Sequence, residues 1–202
     1  MTQARQTPMR SSSETTLAAL ALLAAALPAL AGCSSSARTY HDKVMDFSTI
    51  RTVAVFPLEN LSRDNLAGER VRDVLVNSLL ASGAFYVLPQ GEVARGIARV
   101  AVVSPATPTP EEVVKVAKLI GAEAVITGTV KEYGEVRAAS SVANTISVTL
   151  ELSEAQTGKV VWSASTTRGG VGAWERLLGG GGKPMNFVTE EAVDVLLDQL
   201  FR

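Results

Sequence analysis

The sequence predicts a single α/β domain with a mixed β-sheet of about five strands and helices packed on it. Three observations lead to this prediction. Short β-branched runs alternate with segments of helical periodicity, two later segments alternate strictly between polar and apolar residues, and the chain is 47% hydrophobic, which is enough to fill a core. We expect this domain to cover residues 52–202, a length that is usual for one domain.

The predicted domain opens with a β-α-β unit. Residues 52–56 (TVAVF) are a short β-branched run that Pro57 closes, which is typical of a buried strand. Residues 66–81 repeat apolar side chains at helical spacing, and Gly83 is a natural end for that helix. Residues 85–88 (FYVL) predict the second strand.

Two further helices are predicted next. The first covers residues 91–100, and the second begins after a proline-rich turn, with Thr109 as N-cap, Pro110 at the first helical position and Glu112 at the third. This placement interprets Glu111 and Glu112 as first-turn residues that interact with the helix dipole, rather than as an acid/base pair.

The remaining elements are three strands and a C-terminal helix. Residues 124–130 predict the third strand, and 146–152 and 160–164 alternate as an antiparallel hairpin with one buried and one solvent-facing side. The last helix is predicted over residues 189–201, with the pair Glu190–Glu191 in its first turn.

Composition excludes several classes of function. The chain has 19 basic and 20 acidic residues, which argues against a nucleic-acid binder. One cysteine and one histidine cannot form a disulfide, a usual zinc site or a metal-hydrolase centre. Gly179–Lys183 lacks the spacing of a phosphate-binding loop, and no nucleophile has a matching base. We therefore predict no enzyme, no metal and no bound cofactor.

The N-terminal segment is predicted to be a signal peptide over residues 1–32. An uncharged apolar run at 17–32 follows Arg5 and Arg10 and is too short to cross a membrane comfortably. Met1 and Met9 both remain possible start residues. No second long apolar run follows, so membrane attachment by a helix is not expected.

The end of this segment resembles the lipobox of bacterial lipoproteins, in the residues Leu30, Ala31, Gly32 and Cys33. The resemblance implies cleavage before Cys33, which would carry diacylglycerol and an N-acyl chain as the lipid attachment. By analogy with enterobacterial sorting, Ser34 indicates the outer membrane, with the protein on its periplasmic face. Residues 33–51 are small, polar and without periodicity, and we interpret them as a lipidated tether that reaches at most about 60 Å.

Three blocks of the chain resemble the CsgG and TolB-N-terminal-like superfamily. They are residues 52–61 (TVAVFPLENL), 119–130 (LIGAEAVITGTV) and 149–163 (TLELSEAQTGKVVWS), in the expected order. The resemblance implies a periplasmic lipoprotein or secretion component that binds partners and often forms rings. The curli channel, a polysaccharide-export lipoprotein, a flagellar lipoprotein and an activator of peptidoglycan synthases share this fold.

Two of these roles are disfavoured by physical arguments. A curli-type channel needs two long hairpins per subunit, and residues 133–144 have room for only one short excursion. The synthase activator carries a long proline-rich tether, whereas the tether predicted here is short. These arguments leave the export and assembly roles open.

The segment between Gly169 and Met185 has two interpretations. Trp174, Leu177 and Leu178 share a face if they lie on a short helix between glycine runs. They either cover the core of their own domain or form a mobile element that contacts a partner, a neighbouring subunit or the bilayer.

The sequence therefore predicts a non-enzymatic lipoprotein that acts through protein–protein contacts in envelope assembly or export, as a homo-oligomer. Its expected partners are the membrane, through the lipid anchor, and other envelope proteins. The alternative is a periplasmic sensor lipoprotein that binds a glycan or a small molecule with the Gly-rich loop at 169–186.

Overall fold

The fold is a twisted sheet with helices on both of its faces. The computed structural model describes residues 38–138, 141–170 and 182–201, which hold seven strands and four α-helices. In chain order these elements are β1 Arg38–His41, β2 Thr52–Val55, β3 Glu59–Asn60, α1 Ala67–Ser82, β4 Tyr86–Val87, α2 Gln90–Val100, α3 Pro110–Ile120, β5 Ala124–Ala138, β6 Ser141–Glu154, β7 Val160–Gly169 and α4 Met185–Leu200.

The strands form one mixed sheet in the order β1-β7-β6-β5-β2-β4, and the two-residue β3 also pairs with β5. β1, β7, β6 and β5 are antiparallel neighbours, whereas β2, β3 and β4 pair in parallel. This confirms the predicted α/β class with a mixed sheet, although seven strands replace the expected five. The two additional strands, β1 and β3, are only four and two residues long and lack an alternating pattern.

Most of the segment interpreted as a tether belongs to the folded domain. β1 pairs with β7 from Arg38↔Ser165 to His41↔Trp162, and the N–H of Asp42 donates to the carbonyl of Val161 at 2.8 Å. The prediction of a tether is therefore wrong from residue 38 onward. Its polar composition reflects an edge strand, in which most side chains face water.

The three long strands extend further than their sequence patterns predict. β5 continues eight residues past Val130. The sequence pattern does not predict this extension, because the register shifts between Val130 and Glu132, where a bulge interrupts the alternation of side chains. β6 begins at Ser141 rather than near Ile146, and it pairs with β5 along its whole length. These two strands consequently form the longest hairpin of the described chain.

The larger part of the core lies between the sheet and helices α1 and α4. Leu75 and Leu79 of α1 and Leu196 of α4 are fully buried against it, and Trp162 of β7 is 1% exposed. The alternation predicted for β6 is confirmed, since the buried side chains are Ile146, Val148, Leu150 and Leu152. At about 25 cal/mol per Å² of apolar area, this burial is the main stabilising contribution of the fold.

A second, smaller core lies on the opposite face, under helices α2 and α3. It contains Phe56 after β2, Val125 of β5, Val93 of α2 and Val116 of α3, all with no exposed surface. Helices α2 and α3 pack against each other, α2 also contacts β2 and α3 also contacts β5, so they cover the β2 and β5 end of this face. Within the part of the chain that the structure describes, no helix covers the remaining strands on this side.

The start of α3 is confirmed, and the start of α4 differs from the prediction. Thr109 and Glu112 form the expected capping box, through bonds of 2.8 and 3.3 Å between side chain and backbone. α4 begins at Met185, directly after Pro184, so that Thr189 lies inside the helix and donates to the carbonyl of Met185 at 2.8 Å.

The pair Glu190–Glu191 is therefore not in the first turn of α4, and its interpretation as first-turn residues is wrong. Pro184 gives the physical reason for the difference, because a proline fits the start of a helix and its ring presets the backbone. The two carboxylates lie further along the helix, away from the positive end of its dipole. The helix dipole therefore does not explain why two acidic residues occur at these positions.

Glu123 joins the start of β2 to the start of β5. Its carboxylate accepts hydrogen bonds from the backbone N–H groups of Arg51 at 2.6 Å and Thr52 at 2.9 Å, and these bonds lower its pKa. A lowered pKa in the folded state stabilises the protein above the unfolded pKa of about 4.3, and this stabilisation is lost as the pH falls through the folded pKa.

We expect the free energy of unfolding to decrease on acidification below about pH 5, and Glu123→Gln to make this decrease shallower. Urea denaturation between pH 3 and 7 measures both. Glu135→Gln is the matched control, since Glu135 is an exposed hairpin carboxylate without a hydrogen bond to any described residue. The same slope in wild type and Glu123→Gln would contradict the prediction.

Candidate functional site: the open sheet face

The sheet has one surface that no helix of the described residues covers. It lies on the side of α2 and α3 and is formed by the side chains of β5, β6, β7 and β1 that point away from the larger core. We call it the open sheet face, and its members are Arg38, Tyr40, Thr127, Thr129, Ser147, Thr149, Glu151, Ser163, Ser165 and Thr167. Seven of these ten residues are Ser or Thr.

The strand register arranges these side chains in rows across the sheet. Thr127, Glu151, Ser163 and Tyr40 are successive cross-strand partners and form one row. The next row is Thr129, Thr149, Ser165 and Arg38. Since cross-strand partners stand about 4.5–5.5 Å apart, each row is a continuous line of polar groups.

Hydrogen bonds between neighbouring strands hold the hydroxyl groups in place. Thr149 Oγ1 donates to Ser165 Oγ at 3.1 Å, and Thr167 Oγ1 donates to Ser147 Oγ at 3.1 Å. The donating hydroxyls keep acceptor lone pairs, and the accepting hydroxyls of Ser147 and Ser165 keep their O–H donors, so the surface is both preorganised and able to bond a partner.

The open sheet face presents mainly hydroxyl groups, and the position of the histidine and of potential metal ligands can be compared with it. His41, the one histidine of the chain, is the register partner of Trp162 and stacks near Phe47 with ring centroids 5.6 Å apart, on the side of the larger core. The hydroxyls of the open sheet face therefore have no imidazole beside them. The described residues hold no group of three or more potential metal ligands.

A pocket of about 280 Å³ lies where the open sheet face meets the proline-rich turn before α3. Its polar side is formed by Thr127, Thr149, Glu151 and Ser153, and its apolar side by Pro108, Pro110, Val113 and Val160. The turn that follows β6 closes one end, because Gly158 packs directly on the backbone of Pro110.

A second candidate contact surface is the outer side of α4. Phe187 is 57% exposed there, beside the carboxylates of Glu190, Glu191, Asp194 and Asp198 in a shallow groove. Lys183 pairs with Glu191 at 2.8 Å, and both side chains are largely exposed. The excess of acidic groups around an exposed ring suits a basic partner surface.

The end of the β5–β6 hairpin forms a third exposed surface. β3 stops pairing at Val130, and beyond that residue no described strand pairs with this edge of β5, which lies next to a groove of about 460 Å³. Leu61 and Val136 line this groove and are 62% and 48% exposed. The segment 133–144, expected to be a short excursion, is this hairpin end.

The site residues predicted from the sequence lie outside the described residues and stay predictions. They are the lipobox and lipid-attachment residues Leu30, Ala31, Gly32 and Cys33, and the contact candidates Trp174, Leu177 and Leu178. Most of the Gly-rich loop at 169–186, which the alternative prediction uses as the ligand-binding element of a sensor, also lies outside the described residues. Within the described ranges, no helix is long and apolar enough to cross a membrane.

The open sheet face itself was missed by sequence reasoning. Its signal is visible, because Ser147, Thr149 and Glu151 alternate with buried residues in β6. That alternation predicts a polar side for each strand, but only the order of the strands brings the polar sides of four strands together.

The comparisons with known proteins identify a family and a shared fold. The family model described as "Peptidoglycan-synthase activator LpoB" matches residues 33–167. Among curated proteins, none matches the chain significantly. The solved PelC dodecamer from Paraburkholderia phytofirmans is 20% identical with a TM-score of 0.54, covering 82% of this chain and 98% of that one.

Two further solved structures are similar. Lipoprotein GNA1162 from Neisseria meningitidis is 21% identical with a TM-score of 0.53, over 75% of this chain and 98% of that one. The LpoB C-terminal domain from Salmonella enterica is 19% identical with a TM-score of 0.47, over 63% of this chain and 86% of that one. At such identities the first two likenesses establish the fold alone.

The family match corrects two expectations from the sequence. The resemblance to the CsgG and TolB-N-terminal-like superfamily is wrong, because its three blocks are short strand and turn segments that many α/β domains contain. The short tether does not argue against a synthase activator, since linker length changes at little energetic cost. The matched region spans more than half of the sequence, and the chain therefore belongs to the LpoB family of peptidoglycan-synthase activators.

Proposed function

We propose that this protein is a periplasmic lipoprotein, anchored in the outer membrane through Cys33, that activates a peptidoglycan synthase by binding to it. The observation that carries the proposal is the family match, which begins at Cys33 itself. The lipobox at Leu30–Cys33 supports the anchor independently. The protein supplies contacts rather than chemistry, and the synthase performs the reaction.

We assign the open sheet face as the principal surface on which the synthase docks. Its hydroxyl rows are fixed by cross-strand hydrogen bonds, so little side-chain entropy is lost when a partner binds. Tyr40, which is 49% exposed at its β1 end, adds an aromatic group of the kind that is enriched in protein interfaces. The acidic outer side of α4 lies on the other side of the sheet and offers a separate surface.

The test is a glycan-polymerisation assay with a purified peptidoglycan synthase from the same organism. Adding the mature lipidated chain in detergent is expected to raise the rate of the synthase in a saturable way, with formation of a complex in sedimentation velocity. A heat-denatured sample is the control. Absence of both rate enhancement and complex would refute the proposed function.

We also propose that the protein self-associates, because the PelC structure that shares its fold is a dodecamer. Sedimentation velocity of the mature chain in detergent, over a range of protein concentrations, measures the assembly. A strict monomer at all concentrations would refute self-association without affecting the activation assay.

A further inference from the structure

The pocket between the proline-rich turn and the open sheet face contains one charged side chain, Glu151. Glu151 is half-buried and forms no ion pair or hydrogen bond with another described side chain. Ser153, which is 4% exposed, lines the same pocket, and its hydroxyl also has no partner among the described residues. The pocket therefore holds one carboxylate without a counter-charge among the described residues, next to a free hydroxyl, and both groups are available to a ligand.

The polar groups of this pocket favour a cationic ligand over an anionic one. The nearby start of α3 adds little for an anion, because the N–H groups of Thr109 and Glu112 are used in the capping box and Pro110 has no N–H. What remains are oxygen atoms: the carboxylate of Glu151 and the hydroxyls of Thr127, Thr149 and Ser153. Oxygen acceptors around one carboxylate are complementary to a positively charged donor group.

The apolar side of the pocket indicates which kind of cationic group fits. Pro108, Pro110, Val113 and Val160 form a wall that suits the methylene groups of a long side chain, with the charged end on the polar side. Arginine fits this arrangement, because its planar guanidinium bonds a carboxylate through two parallel N–H groups and has further donors for hydroxyls. Arginine is also enriched among the residues that dominate binding energy in protein interfaces.

We propose that this pocket binds an arginine side chain of a partner protein, with Glu151 as the counter-charge. The inference rests on the proposed function in one respect only, namely that a protein docks on the open sheet face. It adds a specific anchoring residue to that contact and the chemistry of the group that the partner must present.

The experiment is an NMR titration of the mature chain in detergent micelles with N-acetyl-arginine N-methylamide. We expect saturable shifts of the signals of Thr127, Thr149 and Ser153. Glu151→Gln, which preserves the shape of the side chain, is expected to weaken the affinity at least about tenfold, or about 1.4 kcal/mol. The neutral analogue N-acetyl-citrulline N-methylamide is expected to bind wild type with a similar loss.

Glu69→Gln is the matched control, because Glu69 is an exposed carboxylate on α1 and lies outside this pocket. It should leave the affinity for the arginine probe unchanged, and equal melting temperatures should show that all variants are folded. The proposal is overturned if the citrulline probe binds as well as the arginine probe, or if Glu69→Gln weakens binding as much as Glu151→Gln. It is also overturned if N-acetylglucosamine shifts these signals and arginine does not.

The activation assay separates this inference from the proposed function. If wild type activates the synthase, Glu151→Gln must raise the concentration needed for half-maximal activation about tenfold, and an unchanged value overturns the inference. Absence of activation by wild type counts against the proposed function, and the titration then decides the pocket by itself. A change in the oligomeric state of Glu151→Gln would instead identify the occupant as a second copy and overturn the assignment to a partner.

Discussion

Replacing Gly158 by Ala is expected to lower the free energy of unfolding by about 2–5 kcal/mol. Gly158 has a φ of +71°, a backbone region that L-residues with a Cβ rarely adopt. A Cβ built there would lie 2.4 Å from the carbonyl oxygen of Pro110, which is part of the backbone at the start of α3. The turn after β6 and the start of α3 must therefore separate to accommodate the methyl group.

Gly83→Ala is the control that isolates the contribution of this contact. Gly83 has a similar φ of +63° at the C-terminal end of α1, but a Cβ there meets no atom within 4 Å. Its substitution should cost only the left-handed backbone penalty, about 1–2 kcal/mol. Urea denaturation of both variants measures the difference. Equal losses would mean that the contact between Gly158 and Pro110 contributes nothing to stability.

The Gly158 contact also illustrates what the sequence does not reveal about this fold. The residues 156–158 predict a turn between two strands, but nothing in their pattern indicates that the turn rests on a helix start more than 40 residues earlier in the chain. That contact depends on the parallel pairing of β2 with β5, which places α3 beside the β6–β7 turn.

The best-predicted elements are those with a local physical signal. The capping box of α3 is encoded by residues three positions apart, and the buried side of β6 by strict alternation over seven residues. Both signals act within one element, so no knowledge of the neighbouring strands is needed. The same holds for the left-handed glycines that end α1 and α3.

The missed elements depend on partners distant in the chain. β1 is a strand because Arg38–His41 pairs with β7, more than 120 residues away, and its own side chains are mostly polar and exposed. β3 has only two residues and forms because β5 extends beside it. The candidate site has the same origin, since its rows exist only once β1, β5, β6 and β7 are in register.

The lipid anchor has the largest expected effect on where the protein acts. Replacing Cys33 by Ser is expected to abolish incorporation of labelled palmitate and to remove the protein from the outer-membrane fraction. The reason is that the thiol is the predicted attachment atom for diacylglycerol, and each buried CH₂ contributes about 0.8 kcal/mol to membrane binding. Among the described residues, no helix has the length and apolar character needed to span a membrane.

Ser34→Asp is the matched variant, because it keeps Cys33 and changes only the residue on which the enterobacterial sorting pattern depends. It should retain the palmitate label but move to the inner-membrane fraction, as the enterobacterial pattern implies. Both variants should melt at the wild-type temperature, since the described domain begins beyond them at residue 38. Palmitate labelling of Cys33→Ser at the wild-type level would refute the assignment of the lipobox. If Ser34→Asp keeps the palmitate label but stays in the outer-membrane fraction, only the sorting rule is wrong for this protein. The assignment of the lipobox would stand, because acylation and sorting depend on different residues.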